Sequence, residues 1–403
     1  RDIPADFAER LRTATFTAFR RLLDLCERES PDFLLLAGDV YNQEDASVSA
    51  QLALRDGFRR LESLSIPVFL VHGNHDPLAS RLRSVRWPGN VTVFGELPDA
   101  VPVFRKGEGT PLAIIHGASH ASGRETRNLA ALFRRTEACG LHVGLLHATP
   151  GDADGVARYA PFSQGDLKAS GMDYWALGHI HDRREVCREP LAAYPGCTQG
   201  LHINEPGEKG CLLVTAEARP DGGYAVRTSF RPLGPAVWKT LDMDLGGAAS
   251  LDELENRLRT GLDRAAAEVW SGCEMLLVRL RLQGRTELDG LLRKGTTCAE
   301  LADRLREDGS GVPRIWIKDI DVATRPCVER GALLEREDLL GEVFRLSEAA
   351  RTASGLQALR EGPLAPLFAH ARAGKALEPL TDEELARLLD DAESLCLDLL
   401  END

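Results

Sequence analysis

Short apolar runs that end in polar residues recur along the first half of the chain. Five such runs, at residues 33–37, 68–71, 112–115, 143–146 and 174–177, are bounded by turn-forming or polar residues. Their length and composition predict strands that are buried on both faces. Apolar residues at helical spacing predict helices at 7–28, 48–63 and 127–139. The pattern therefore indicates an alternating α/β layout, which places the carboxyl ends of the strands at one edge.

The pattern changes after residue 210. Two runs at 211–216 and 224–230, separated by the turn-rich stretch 219–223, predict antiparallel strands. A βαβαβ cap is then expected, with its elements near 238–245, 251–269, 275–282, 298–306 and 315–322. The last region is helical, and Thr381 with Glu384 forms a candidate capping box. We accordingly predict three domains, at 1–235, 236–330 and 331–403.

Composition narrows the class of protein. The chain has 403 residues, of which 43% are apolar and 28% charged, values typical of a soluble globular protein without a membrane span. Nine cysteines with no CxxC pair favour reduced thiols in a cytoplasm. The net charge of −13 argues against a broad basic surface, but residues 331–403 contribute −9 of it, with 7 Lys/Arg against 16 Asp/Glu. A local DNA path elsewhere remains compatible with this charge.

Metal-binding residue types follow the predicted strands directly. These residues are Asp39, Asn74, His147, His179 and His181. A mixture of oxygen and imidazole ligands suits manganese, iron or zinc better than calcium. Two such metals can clamp a phosphate and activate a water molecule, so phosphate ester hydrolysis is the expected reaction.

Each motif also has a structural interpretation. Gly-Asp is commonly a turn, a single histidine after a strand is commonly structural, and Gly-Asn-His-Asp can open a helix. The set in this order, namely Gly-Asp at 38–39, Gly-Asn-His-Asp at 73–76, a histidine that ends a strand at 147, and Gly-His-x-His at 178–181, favours a metal centre.

This ordered set resembles the calcineurin-like metallophosphoesterase superfamily. Residues 174–181 and 194–200 are similar to the DNA repair exonucleases of the SbcD and YhaO type within it. The resemblance implies a four-layer α/β/β/α sandwich with a small α/β cap and a helical C-terminal region. It also implies two divalent metal ions, most simply manganese, with DNA and an SMC-like coiled-coil ATPase as partners and a homodimer as an open possibility.

The resemblance also assigns roles to individual residues. Asp39 would bridge the metals, and Asn74, His147 and His179 would complete one metal site, while His181 would serve the other. His75 would protonate the leaving oxygen or steady the developing charge, and Asp76 would orient the ring of His75; a helix cap is the alternative for Asp76.

The sequence departs from the family pattern at its start. Family members begin with an apolar strand that ends in Asp-x-His, and no such strand precedes Phe7. We expect a truncated start rather than a decayed enzyme, because the other ligands are present. Asn42 receives no catalytic role. His72 and His116 adjoin strands and could support the metal ligands, but positions in the core or on the surface are expected for both. The basic runs at 81–86 and 183–184 either contact phosphates or form a solvated face.

Three functions compete at this point. The first is a metal-dependent DNA nuclease, acting as an exonuclease or endonuclease in repair. The second is a phosphodiesterase or phosphatase for nucleotides or phosphoproteins, because the same metal pair hydrolyses many esters. The third is a DNA-end binding scaffold with a degenerate site.

Overall fold

The computed structural model describes residues 3–41, 48–79, 85–151, 158–220, 222–307, 311–327, 330–369 and 380–400. The chain forms two compact units. The first comprises Arg1–Leu245, Ser250–Gln283 and Leu291–Ala323, and the second comprises Gly246–Ala249, Gly284–Gly290 and Thr324–Asp403. The three-domain division stays a prediction. Asn42, Arg81 and Arg83 lie outside the described residues.

A three-stranded parallel sheet carries the first site residues. Its strands are β1 (Leu34–Ala37), β2 (Val68–Val71) and β3 (Val91–Val93). Three helices precede or connect them: α1 (Ala5–Arg12), α2 (Ala14–Glu29) and α3 (Val48–Ser63). Leu22 on α2 and Phe58 on α3 pack with Val68 in one buried cluster. The helix predicted at 48–63 is confirmed, whereas the one predicted at 7–28 divides at Thr13.

A six-stranded sheet faces the first one, in the order β4-β5-β6-β7-β9-β8. Its strands are β4 (Asp99–Val103), β5 (Ala113–Ala118), β6 (Leu141–His147), β7 (Tyr174–Gly178), β8 (Arg184–Arg188) and β9 (Leu191–Tyr194). The strands β5, β6, β7 and β9 are parallel, and the two edge strands are antiparallel to their neighbours. Phe69 and Val71 of β2 pack against Ile115 and Val143 between the sheets.

The outer face of the second sheet is covered by short elements. Trp175 and Tyr194 pack there with Phe133 and Leu167, next to a 3-10 turn at Ala130–Leu132 and helix α4 at Gln164–Ala169. Helices, two sheets and this outer layer make the expected four-layer α/β/β/α sandwich.

The helix predicted at 127–139 is wrong, because this stretch contains only the 3-10 turn Ala130–Leu132. Polar side chains form hydrogen bonds with the backbone groups there, in place of the backbone hydrogen bonds of a helix. The side chain of Asn128 accepts from the Ala131 amide at 3.1 Å, and Arg134 donates to the carbonyl groups of Ala131 and Phe133. Such local side-chain bonds compete with helix formation.

The cap has the predicted βαβαβ order. Strands β10 (Gly210–Ala218) and β11 (Tyr224–Pro232) form the antiparallel hairpin before it. The parallel strands β12 (Ala236–Asp244), β13 (Met275–Gln283) and β15 (Arg314–Val322) then alternate with α5 (Leu251–Glu268) and α7 (Gly295–Glu307). Three short elements occur along the same stretch of sequence: β14 (Arg285–Thr286), α6 (Asp289–Leu292) and β16 (Arg325–Pro326).

The second unit contains helices. They are α8 (Arg330–Leu334), α9 (Leu339–Ala350), α10 (Ala353–Glu361), α11 (Ala365–Ala369) and a last helix at Asp382–Leu400. The capping box is confirmed, because the Thr381 amide donates to Glu384 at 2.7 Å and the Glu384 amide donates to the Thr381 hydroxyl at 3.2 Å. Among the described residues, no helix is both long and apolar enough to cross a membrane.

Candidate metal centre

Four predicted ligands meet where both sheets end. Asp39 follows β1, Asn74 follows β2, His147 ends β6 and His179 follows β7. One ligand atom from each of Asp39, His147 and His179 lies within 4.8 Å of the others. The Asn74 Oδ1 atom lies 3.0 Å from His147 Nε2. The structure therefore brings together side chains that are up to 140 positions apart in the chain, from Asp39 to His179.

The Ala37 carbonyl joins the two sheets at this edge. It accepts a hydrogen bond from His147 Nδ1 at 2.8 Å. A Cβ atom on Gly178 would lie 1.8 Å from the same oxygen, and one on Gly73 would lie 2.3 Å from Asp39 Oδ1. A side chain at Gly178 would push the strand ends apart, and one at Gly73 would displace the side chains of Asp39 and His147, so both positions favour glycine.

Backbone strain marks the same loops. Asp39 has φ 51° and His179 has φ 103°, both in the left-handed region that residues other than glycine rarely adopt. Gly38, with φ 88°, completes the turn after β1. Positive φ at two candidate ligands is typical of sites where the fold holds a side chain in a functional position.

Proton positions on His147 show that the site fits a cation. The Ala37 carbonyl can only accept, so Nδ1 carries a proton. Nε2 then faces two oxygens, Asp39 Oδ2 at 3.2 Å and Asn74 Oδ1 at 3.0 Å. A second proton on Nε2 is donated to Asp39, and without that proton Nε2 presents a lone pair to both oxygens. Three acceptor atoms facing one another repel unless a second proton or a metal ion lies between them. A divalent cation can take the place of that proton.

Asp39 supplies the negative charge of the centre. Burial opposes its ionisation, but hydrogen bonds from His147 and from the His75 amide outweigh burial and lower the pKa of Asp39 to about 2. The amide of His75 donates to Asp39 Oδ1 at 2.8 Å. Asp39 is therefore ionised at neutral pH, the form in which a carboxylate binds a cation.

Asp76 joins the two loops of the site. Its buried carboxylate accepts from the amides of Gly73 at 2.7 Å, Asp39 at 3.2 Å and Val40 at 3.0 Å. The nearby ring is that of His72, whose Nδ1 lies 3.4 Å from Asp76 Oδ2. These contacts describe a residue that holds the ligand loops together, which differs from the expected role of orienting His75, and no described helix begins at Asp76.

His181 lies in a second cluster. Its Nδ1 atom is 2.6 Å from Glu205 Oε1, and ligand atoms of His181, Cys197 and Glu205 lie within 4.8 Å of one another. The Lys209 ammonium donates to the His181 carbonyl at 3.2 Å and to Asp182 at 3.0 Å. His75 is exposed at the edge of the first cluster.

Sequence reasoning missed several supporting residues. His120 is buried, with its Nε2 atom 2.6 Å from the His147 carbonyl. The ring of Tyr159 packs edge-on against that of His179, with centroids 5.3 Å apart. His72 lies between β2 and the Gly-Asn-His-Asp motif, which was a usable signal, but no motif singled out His120 or Tyr159.

The remaining basic and histidine candidates lie elsewhere. His116 and His142 form a buried pair with nitrogens 3.0 Å apart. The Arg183 guanidinium lies 3.9 Å from the centroid of the Phe230 ring, and that of Arg184 lies 5.7 Å from the centroid of Tyr194.

Comparisons with known proteins agree with this geometry. Residues 12–183 match the family model described as calcineurin-like phosphoesterase, and residues 238–325 match that of the metallophosphoesterase YhaO middle domain. The "Uncharacterized metallophosphoesterase YhaO" of Bacillus subtilis (strain 168) is 33% identical over 90% of this chain and 86% of its own length.

More distant relatives share the name "DNA double-strand break repair protein Mre11". The protein of Aeropyrum pernix is 27% identical over 65% of this chain and 64% of its own length. That of Haloferax volcanii is 24% identical over 83% of this chain and 72% of its own length. Metallophosphoesterases hydrolyse phosphate esters and use divalent metals. With its strand-end ligands and a YhaO relative matched along nearly its whole length, the chain belongs to the calcineurin-like metallophosphoesterases, in the YhaO and SbcD group.

Proposed function

We propose that this protein is a metal-dependent DNA nuclease, an exonuclease or endonuclease that hydrolyses phosphodiester bonds through a two-metal site. The observation that carries the proposal is the convergence of Asp39, Asn74, His147 and His179 on one point at the strand ends. Relatives named as DNA double-strand break repair proteins favour DNA as the substrate.

The described side chains divide between two cations. Asp39, Asn74, His147 and His179 would hold one ion, and His181 with Asp39 would contribute to the other. Manganese suits this mixture of oxygen and imidazole ligands, with iron and zinc as alternatives. Bound metals would polarise the phosphate and supply a hydroxide nucleophile at neutral pH.

His75 is the proposed proton donor to the leaving oxygen. Its side chain is exposed, and its amide is hydrogen-bonded to Asp39 Oδ1 at 2.8 Å. The backbone of the donor is thus tied to a metal ligand while its ring can reach a bound strand. Asp76 acts on this arrangement through the backbone, because it holds the loops of Asp39 and Gly73.

Cleavage of linear DNA by the full-length protein with Mn²⁺ tests the proposal. We expect Asp39→Asn and His147→Gln each to lower kcat/KM by at least about 100-fold, because loss of a direct ligand should exceed the 10–100-fold typical of supporting residues. Asp56→Asn, which removes an exposed carboxylate on α3, is the matched control for Asp39→Asn.

Two results would contradict nuclease activity. Strong turnover of nucleotides or small phosphate esters with negligible DNA cleavage would favour the phosphodiesterase or phosphatase. Fewer than two metal ions per chain, without cleavage of any ester, would favour a DNA-end binding scaffold.

We further propose an SMC-like coiled-coil ATPase as the partner of the second unit. Leu388, Leu395 and Leu399 are exposed on the last helix, among acidic residues. Deleting residues 356–403 should abolish recovery of the ATPase in a pull-down, whereas unchanged recovery would contradict docking there. A homodimer, testable by sedimentation, and a cytoplasmic location, testable by fractionation, complete the proposal.

A further inference from the structure

We propose that Glu205 is a positioning residue of the metal centre, which holds the His181 ring so that its Nε2 atom is presented to a cation. This inference rests on the proposed metal-dependent function. It concerns a residue that no sequence motif singled out, in the segment that joins β9 to β10.

The first observation is the contrast in exposure between the two partners. The His181 side chain is 55% exposed, whereas that of Glu205 is 9% exposed, and Nδ1 lies 2.6 Å from Oε1. An exposed imidazole is free to rotate about two bonds unless a fixed group holds it. The hydrogen bond to Glu205 supplies that restraint.

The second observation is that Glu205 is fixed independently of His181. Its other oxygen, Oε2, accepts from the Leu201 amide at 2.7 Å, and its own amide donates to the His202 carbonyl at 2.9 Å. Two bonds then tie the segment to the first cap strand. Trp238 Nε1 donates to the Gly200 carbonyl at 2.9 Å, and the Gly207 amide donates to the Trp238 carbonyl at 2.8 Å.

The third observation concerns the tautomer of His181. An ionised carboxylate can only accept, so Nδ1 carries a proton and the neutral ring presents its lone pair at Nε2. Both Glu205 oxygens lie opposite N–H donors, Oε1 at His181 Nδ1 and Oε2 at the Leu201 amide, as expected of a carboxylate. A carboxylate behind a metal-binding histidine fixes the tautomer and orientation of the ring and raises its basicity.

A rival arrangement uses the same cluster differently, with a cation held directly by His181, Cys197 and Glu205. His181 Nδ1 and Glu205 Oε1 are hydrogen-bonded to each other at 2.6 Å, and this bond would have to break for both atoms to bind one ion. The observations therefore favour Glu205 as the support of His181.

The test follows the ring of His181 by NMR in full-length protein labelled with ¹⁵N and ¹³C at histidine. Zn²⁺ is diamagnetic, so it shifts the Nε2 signal of a ring that binds it without broadening neighbouring rings, and the same spectra report the tautomer. We expect Glu205→Gln to raise the Zn²⁺ concentration that half-shifts the His181 signal by about 10-fold and to reduce the fraction protonated at Nδ1. The His147 signals should respond as in the wild type.

Asp182→Asn is the matched control, because it removes one negative charge next to His181 from a carboxylate that contacts Lys209 instead of the ring. It should leave both readouts of His181 within about twofold of the wild type. Partial recovery of both His181 readouts in Glu205→Asp would show that the carboxylate itself matters.

Several outcomes would overturn the inference. An unchanged His181 tautomer and Zn²⁺ response in Glu205→Gln would remove the positioning role. A loss of Zn²⁺ binding in Cys197→Ser as large as that in Glu205→Gln would favour direct ligation by the three residues. Absence of a Zn²⁺-induced shift at His181 in the wild type would refute the role whatever happens to DNA, whereas absent DNA cleavage with an intact shift would contradict only the nuclease.

Discussion

His147 and His181 are both proposed metal ligands, and the fold holds them in opposite ways. The His147 side chain is 1% exposed, and its Nδ1 is bonded to the Ala37 carbonyl. His181 is 55% exposed and is bonded to the Glu205 carboxylate. One ring is therefore held by the backbone of a neighbouring strand, and the other by a single side chain.

The difference predicts two kinds of sensitivity to mutation. No substitution can delete the Ala37 carbonyl, so the position of His147 should be disturbed by changes that move the backbone. The position of His181 should be lost when the Glu205 carboxylate is removed, with a smaller effect on stability, because the His181 side of this pair is exposed. The buried region should accordingly show the larger stability effects.

The largest effect is expected from Gly178→Ala. A Cβ atom there would lie 1.8 Å from the Ala37 carbonyl oxygen, so β1 and β7 would have to separate. We expect the free energy of unfolding, measured with urea, to fall by about 3 kcal/mol or more.

Gly109→Ala is the control, because nothing lies within 4 Å of a Cβ atom at that position. Its free energy of unfolding should remain within about 0.5 kcal/mol of the wild type. Equal, small effects at both glycines would break the distinction between a backbone-held and a side-chain-held ligand.

Asp76→Asn should have the next largest effect. The substitution replaces a carboxylate oxygen by an amide N–H that faces backbone donors, so buried amides lose their acceptor. We expect a loss of about 2–3 kcal/mol in urea unfolding, with weaker Mn²⁺ binding at His147 by NMR. Asp56→Asn, whose side chain is 59% exposed, should change neither; a stable Asp76→Asn with normal Mn²⁺ binding would contradict the loop-holding role.

Lowering the pH should affect stability differently through the buried histidines and through the exposed His181. Burial, with the neighbouring His142, lowers the pKa of His116 to about 4, below its ordinary value of 6.5. Between these values the unfolded chain binds more protons, so acid destabilises the fold. We expect the free energy of unfolding to fall by about 2 kcal/mol from pH 7 to pH 5.

The pKa of His181 is shifted in the opposite direction to that of His116. The hydrogen bond to Glu205 raises the pKa of His181, so its contribution is present below pH 6.5 and is lost as pH rises. Its exposure keeps this contribution small. His116→Gln should therefore flatten the acid slope and His181→Gln should not; the reverse result would contradict the contrast between the two environments.

Much of the fold follows from local pattern. The apolar runs located β1, β2, β5, β6 and β7, because a fully buried strand needs apolar residues on both faces. The ligands followed because they come directly after those runs. Strands β3, β4, β8 and β9 were missed; Asp99–Val103 and Arg184–Arg188 carry exposed residues, and they lie at the sheet edge.

The supporting contacts required tertiary structure. Asp76 was singled out by its motif, but its backbone partners at Asp39 and Val40 come from another loop. Glu205 lies in a turn-rich segment with no periodicity, 24 positions from His181. Only the path of the chain after β9 brings the two together, so no spacing rule could have paired them.

The segment between Gln199 and Gly207 has a consequence for protein engineering. Gln199 donates to the Ala236 carbonyl at 2.8 Å, and Trp238 donates to Gly200, so this segment is bonded to the strand that begins the cap. A chimera that exchanges the cap at residue 236 would separate Glu205 from its supports. Grafts that begin before Gln199 would transfer the segment and the strand as one piece, and would keep the geometry at His181 inherited from the donor.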